Sequence, residues 1–111
     1  MKIAVSSTDD HLFAQISKNL EQSRFILILN SNNLKEYKSI LNPYCGTKTD
    51  PCKWLVNLLT DQQIDVLVAG KCHQDVMEYL KRTGIVIYSN LTGSVLNTVT
   101  KIKNYELSHA I

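Results

Sequence analysis

Glycine and proline are scarce in this chain, four and two residues respectively among 111. So few glycines leave little material for a phosphate cradle, and none of the patterns G-x-x-x-x-G-K-[ST], G-x-G-x-x-G or G-x-S-x-G occurs. The H-E-x-x-H helix of zinc peptidases is missing too. No enzyme signature is present, and the expectation is a protein that binds rather than catalyses. Long hydrophobic runs are also lacking: the longest, residues 25–29, falls far short of the ~20 residues that cross a bilayer. No membrane span is expected. Neither sign of charge dominates, with twelve Lys and Arg against ten Asp and Glu and a formal net charge of +2. The basic residues are scattered, which argues against a surface that tracks nucleic acid.

The opening Met1-Lys2-Ile3-Ala4-Val5 turns polar at Ser6, so the apolar stretch of a secretory signal is absent. Three cysteines is an odd count, and without such a signal they read as reduced thiols rather than a disulfide framework. The expected location is the cytoplasm, where the sequon at Asn90-Leu91-Thr92 is not used.

What is present is a soluble globular balance, 44% hydrophobic and 20% charged, at the length of one domain spanning 1–111 with an ordered core over about 1–103. Residues 1–6 form a β-branched apolar run ending in a polar loop, which predicts a buried central strand. Leu12, Phe13, Ile16 and Leu20 fall at helical spacing and predict a helix over 10–22 after a cap at Asp9 or Asp10. Residues 24–30 read as a second buried strand. Turn chemistry at Ser31-Asn32-Asn33 then leads into a more exposed edge strand over 34–40, pairing as a hairpin. Residues 41–49 have no period and read as a long loop.

Asp50-Pro51 opens a helix with Asp50 as N-cap and an inner face of Cys52, Leu55, Leu58 and Leu59. A buried strand over 64–69 follows, then a helix over 74–83 facing inward through Val76, Met77 and Leu80, with Gly84 as its terminating glycine. Residues 85–88 make the last strand. Thr92 or Ser94 caps a final helix carrying Val95, Leu96, Val99 and Ile102, and the pattern is lost over 103–111. Strands alternating with helices in the second half, after an early hairpin, give an α/β class with a mixed sheet and helices on both faces.

In such sheets ligands bind beyond the carboxyl ends of the parallel strands. Two loops qualify, residues 6–10 and Gly70-Lys71-Cys72-His73. The second sets a close-approach glycine, an ammonium, a thiol and an imidazole before a helix N-terminus, so Gly70, Lys71, Cys72 and His73 are the candidate cofactor-binding residues. Lys71 would offset the charge of an anionic cluster. Cys45 and Cys52 could converge with Cys72 and His73 on one metal or cluster, although C-x6-C followed by a lone Cys-His pair matches no standard zinc or ferredoxin spacing. Each residue also has a plainer reading. Cys52 shares a face with Leu55 and Leu59 and reads first as a small buried hydrophobe, and His73 need only begin a helix. His11 and His109 read as surface residues. A Cys72 nucleophile beside His73 lacks a third orienting group.

Taken in order, Met1-Lys2-Ile3-Ala4-Val5-Ser6-Ser7, Leu41-Asn42-Pro43, Ile64-Asp65-Val66-Leu67-Val68-Ala69-Gly70, Thr83-Gly84-Ile85-Val86-Ile87-Tyr88 and Gly93-Ser94-Val95 resemble the dinitrogenase iron-molybdenum cofactor binding-domain family of nitrogenase cofactor biosynthesis. The resemblance runs from Met1 to about Lys103. It implies a ribonuclease H-like three-layer fold with a five-stranded mixed sheet. It also implies a non-enzymatic role, related to nitrogen fixation, in binding, storing or delivering a metal-sulfur cofactor or its precursor, an iron-sulfur or iron-molybdenum type cluster, with a delivery protein as partner. The chain departs from the family pattern in three places. The His/Arg-Phe-Gly-Arg stretch is replaced within residues 17–24, Gly-Gly-x-Gly becomes Ala69-Gly70-Lys71-Cys72-His73, and the middle-loop His-Gly becomes Cys45-Gly46. The family's usual ligand apparatus is thus partly lost, and cysteines stand in its place. The alternative expectation is a metal-free interaction module, a homodimer joined through the edge strand over 34–40 or a regulatory partner.

Overall fold

In the computed structural model, residues 1–109 are described, with side chains described through Tyr105. Five strands and three helices follow one another as β1 (Lys2–Ser7), β2 (Phe25–Asn30), β3 (Asn33–Leu41), α1 (Cys52–Asp61), β4 (Val66–Val68), α2 (Gln74–Arg82), β5 (Val86–Tyr88) and α3 (Val95–His109). They build one mixed sheet in the order β3-β2-β1-β4-β5. The hairpin strands β2 and β3 run antiparallel to their neighbours, whereas β1, β4 and β5 are parallel to one another. The α/β class and the mixed sheet expected from the alternating elements are present, and the sheet has the five strands that the family resemblance implies.

The pleat divides the apolar residues between two cores. Ala4, Ile26, Ile28, Leu67 and Ala69 face α1 and α2, meeting Leu55, Leu59, Val76 and Leu80. Ile3, Val5, Leu27, Leu29, Val66 and Val68 face α3, meeting Val95, Val99 and Ile102. Because β1, β2 and β4 are covered on both faces, they read as continuous apolar runs rather than alternating ones. No helix among the described residues is long and apolar enough to cross a membrane.

Local chemistry sets the helix boundaries. The N-cap of α1 is Pro51 rather than the expected Asp50, which stands one residue earlier and accepts the Cys52 N–H at 2.9 Å. That hydrogen bond holds the Asp50 carboxyl below its usual value. Ser94 caps α3 by accepting the Asn97 N–H at 3.2 Å. At the end of α2, Gly84 at φ +89° lets its own N–H reach the Lys81 carbonyl and the Ile85 N–H reach the Leu80 carbonyl, the paired bonds of a Schellman termination.

Two expectations are corrected. Residues 10–22 form no helix. Phe13 is 75% exposed, while Ala14, Ile16 and Leu20 are buried. The backbone of this segment is committed to partners far along the chain: the Ile16 N–H donates to Gly93, Ser17 to Ser6 and Leu20 to Lys71. Intrinsic spacing is a weak preference beside such pairing. At the other end, α3 continues past Lys103 to His109, helped by the Tyr105 ring, which meets Tyr88 edge-on at 6.3 Å. Residues 110 and 111 lie outside the described residues, as does the His109 side chain.

Gly84→Ala tests the termination separately from packing, because an added Cβ there would meet nothing within 4 Å. The variant is expected to lose about 1–2 kcal/mol through left-handed backbone strain, seen as a lower urea midpoint with an unchanged slope.

Candidate functional site at the carboxyl ends of the parallel strands

Beyond Val68 the chain continues as a strand-like segment, Ala69-Gly70-Lys71, clasped on both sides. On one side the Lys71 N–H donates to the Lys18 carbonyl at 2.7 Å, and the Leu20 N–H donates to the Lys71 carbonyl at 2.9 Å. This is a parallel bridge between Asn19 and Lys71. On the other side the Asn90 N–H donates to Gly70 at 2.8 Å and the Leu91 N–H to Ala69 at 3.1 Å. Gly70 is buried, and a Cβ on it would lie 2.4 Å from the carbonyl oxygens of both Ser17 and Lys18. Only glycine admits this approach.

The clasp creates an open groove of about 340 Å³ lined by Lys18, Asn19, Gly70, Lys71, Asn90, Leu91 and Thr92. It lies past the carboxyl ends of β4 and β5, where ligands collect in open α/β sheets. Its lining residues include two lysines, two asparagines and a threonine, with no carboxylate and no thiol among them. Asn90 holds φ +60°, a left-handed conformation that asparagine tolerates better than most residues. Such a donor set suits an anion.

The sequence-selected residues divide at this point. Gly70 and Lys71 line the groove; Cys72, His73, Cys45 and Cys52 do not. His73 is the N-cap of α2, its Nδ1 accepting the Asp75 N–H at 3.3 Å, while its own N–H donates to Glu21 Oε1 at 2.6 Å. The N-terminus of α2 thus already carries a carboxylate from the chain itself. Cys52 lies instead in a second groove, between α1 and α2, with Val56, Asp75, Val76 and Tyr79. Exposed Cys45 sits in the loop after β3, where its thiol donates to the Gln22 carbonyl at 3.3 Å. That loop is pinned by buried Asn42, whose Nδ2 donates to the carbonyls of Glu21 and Ser23 at 3.1 and 2.9 Å.

All three cysteines are free. Among the described residues no group of three or more His, Cys, Asp and Glu side chains is arranged to hold a metal ion. The Cys72 thiol is pushed up to about 12, by burial first and the Glu21 charge second. Cys52 is pushed up to about 11 by burial, then by hydrogen bonding to Asp50 and by the charges of Asp50, Glu21 and Asp75. Both thiols therefore keep their protons at neutral pH, so a metal ion must displace a proton to bind either sulfur.

Sequence reasoning missed Lys18, Asn19, Asn90, Leu91 and Thr92. The strand-end argument applied to β5 would have reached 90–92. Lys18 and Asn19 were hidden by the helical spacing of residues 12–20.

The fold is a small α/β domain whose groove at the strand ends is lined by two lysines. The family signature described as dinitrogenase iron-molybdenum cofactor matches residues 1–105, and the chain belongs to that family. No curated protein matches it. Among solved structures, the chain is similar to the apo form of the orange protein from Desulfovibrio gigas, at TM-score 0.84 and 15% identity over 95% of this chain and 88% of that one. It is also similar to a Thermotoga protein described as a candidate NifB of the DUF35 family, at TM-score 0.70 and 18% identity over 97% and 87%. At these identities the likeness is one of fold.

Two outcomes are expected. Gly70→Ala should cost about 3 kcal/mol, because backbone rather than a flexible side chain must yield, measured by urea unfolding against Gly84→Ala. Cys72 also carries a pH signature. Its proton is lost near 9 in an unfolded chain and near 12 in the fold, so the unfolded state binds fewer protons between those values and stability falls as pH rises through that window. Denaturation midpoints of Cys72→Ser should fall less steeply between pH 9 and 12 than those of the parent.

Proposed function

We propose that this protein is a non-enzymatic carrier that takes a preformed, anionic metal-sulfur cofactor or precursor into the groove between Lys18, Lys71 and Asn90. The observation that carries the reading is the lining itself: two lysines and hydrogen-bond donors, with no acidic group and no thiol. A cluster whose outer atoms are sulfides and whose net charge is negative is met by ammonium groups and amide N–H donors without replacing any of its own ligands. The lining offers no paired general acid and base and no activated nucleophile, which supports holding over transformation.

Family membership supports an iron-molybdenum type of cargo. The sheet order, with its single antiparallel hairpin beside three parallel strands, supports the ribonuclease H-like reading of the fold. Gly70 and Lys71, expected as cofactor-binding residues, both line this groove, which supports giving them that role. Cys45, Cys52, Cys72 and His73 enter a second reading, in which a thiol captures the metal; the donor set at the strand ends favours the first.

The test uses a soluble thiometallate, tetrathiomolybdate, titrated into the full chain under anaerobic conditions and followed by its absorption spectrum. Replacing Lys18 or Lys71 by Ala should weaken binding about tenfold each, equivalent to ~1.4 kcal/mol, and rising salt should weaken it in the parent. Cys72→Ser and Cys52→Ser should bind as the parent does. Binding that survives loss of both lysines but disappears with either cysteine would establish thiol capture instead.

A further inference from the structure

The two edges of the sheet are unlike. β5 ends one side with three residues, whereas β3, on the other, has nine and is the longest strand. No proline interrupts it, and its residues are exposed or half-buried throughout. Long open edges carry unpaired backbone groups that readily accept another strand.

Hydrogen-bond parity fixes which groups are open. β3 pairs with β2 so that Ile26 faces Ile40 and Ile28 faces Lys38. In the same register the Asn42 N–H donates to the Arg24 carbonyl at 3.0 Å. Antiparallel pairs alternate between bonded and non-bonded, so residues 38, 40 and 42 spend their backbone groups on β2. The N–H and C=O groups of Tyr37, Ser39 and Leu41 point outward.

We propose that this edge joins the same edge of a second copy, antiparallel and two-fold symmetric about Ser39, so that two five-stranded sheets become continuous. The outward groups are self-complementary: Tyr37 meets Leu41 of the second copy, Ser39 meets Ser39, and Leu41 meets Tyr37, for up to about six ladder hydrogen bonds. Leu41, an unusually exposed hydrophobe at 60%, then lies beside the Tyr37 ring, and the small Ser39 side chains allow the centre to close.

Side-chain charge selects this register from its neighbours. A shift to a centre at Lys38 sets two ammonium groups face to face, which is unfavourable. A centre at Tyr37 needs the Lys35 N–H, which already donates to Asn33 Oδ1 at 3.2 Å, in the stretch where pairing with β2 slips between Leu29 and Asn30. A centre at Ile40 forms fewer bonded pairs. With Ser39 central, Lys38 stands opposite Ile40 and no like charges face each other. The edge lies on the far side of the sheet from β5, so the inference is independent of the cargo reading.

The test is sedimentation equilibrium of the full chain from micromolar to millimolar concentration, with amide hydrogen exchange followed by NMR over the same range. Self-association to a dimer is expected, with the Tyr37, Ser39 and Leu41 amides exchanging at least tenfold more slowly at the upper concentration. Ser39→Pro removes the outward N–H without taking a bond from β2, and should give a folded monomer, its fold checked by the dispersion of the β1 and β4 amides. Leu41→Lys should weaken the dimer about tenfold or more and serves as the readout if the proline variant does not fold. A monomer at every concentration, a dimer that persists in both folded variants, or a dimer whose three amides stay unprotected would overturn the proposal.

Discussion

The candidate site depends on a backbone approach at Gly70 that no other residue permits. With no Cβ, the segment after β4 slides against the carbonyls of Ser17 and Lys18 and exchanges hydrogen bonds with residues 18–20 on one side and 90–91 on the other. That clasp brings together three loops that are distant in sequence. It sets Lys18 and Lys71 on one groove, draws Glu21 onto the first turn of α2, and leaves Leu20 buried against the helices. A side chain at position 70 would separate all three loops.

The same geometry decides which chemistry is available. Glu21 occupies the helix N-terminus that an incoming anion would otherwise use, and with burial it keeps Cys72 protonated. Soft-metal ligation at the thiols is thereby discouraged, while two lysines and no carboxylate line the neighbouring groove. On the proposed reading, a cargo held by charge and hydrogen bonding would be released without breaking metal–ligand bonds, with an affinity set by salt. Membership of the iron-molybdenum cofactor family fits a seat of that kind.

Most of the sheet was legible in the sequence because β1, β2 and β4 are covered on both faces and so appear as short continuous apolar runs. Asp50, Ser94 and Gly84 marked helix boundaries through their own side-chain or backbone chemistry. The segment before β2 was not legible. Its leucines and isoleucines repeat at helical spacing, yet Phe13 points to solvent and the backbone bonds go to residues 71 and 93, a long-range choice that no local window contains. Two of the seven residues lining the candidate site were hidden for the same reason. Gly70 and Lys71 could be found from a strand-end turn, but Lys18 and Asn19 arrive from the misread segment. The cysteines drew attention as ligand types, and burial next to carboxylates was not visible at that level.

The most direct test of charge-based carriage is a crystal structure of the full chain with tetrathiomolybdate, read by anomalous scattering at the molybdenum edge. One molybdenum position is expected in the groove between Lys18, Lys71 and Asn90, outside bonding distance of every cysteine sulfur. Molybdenum bonded to Cys72, Cys52 or Cys45, or found only away from the groove, would contradict it.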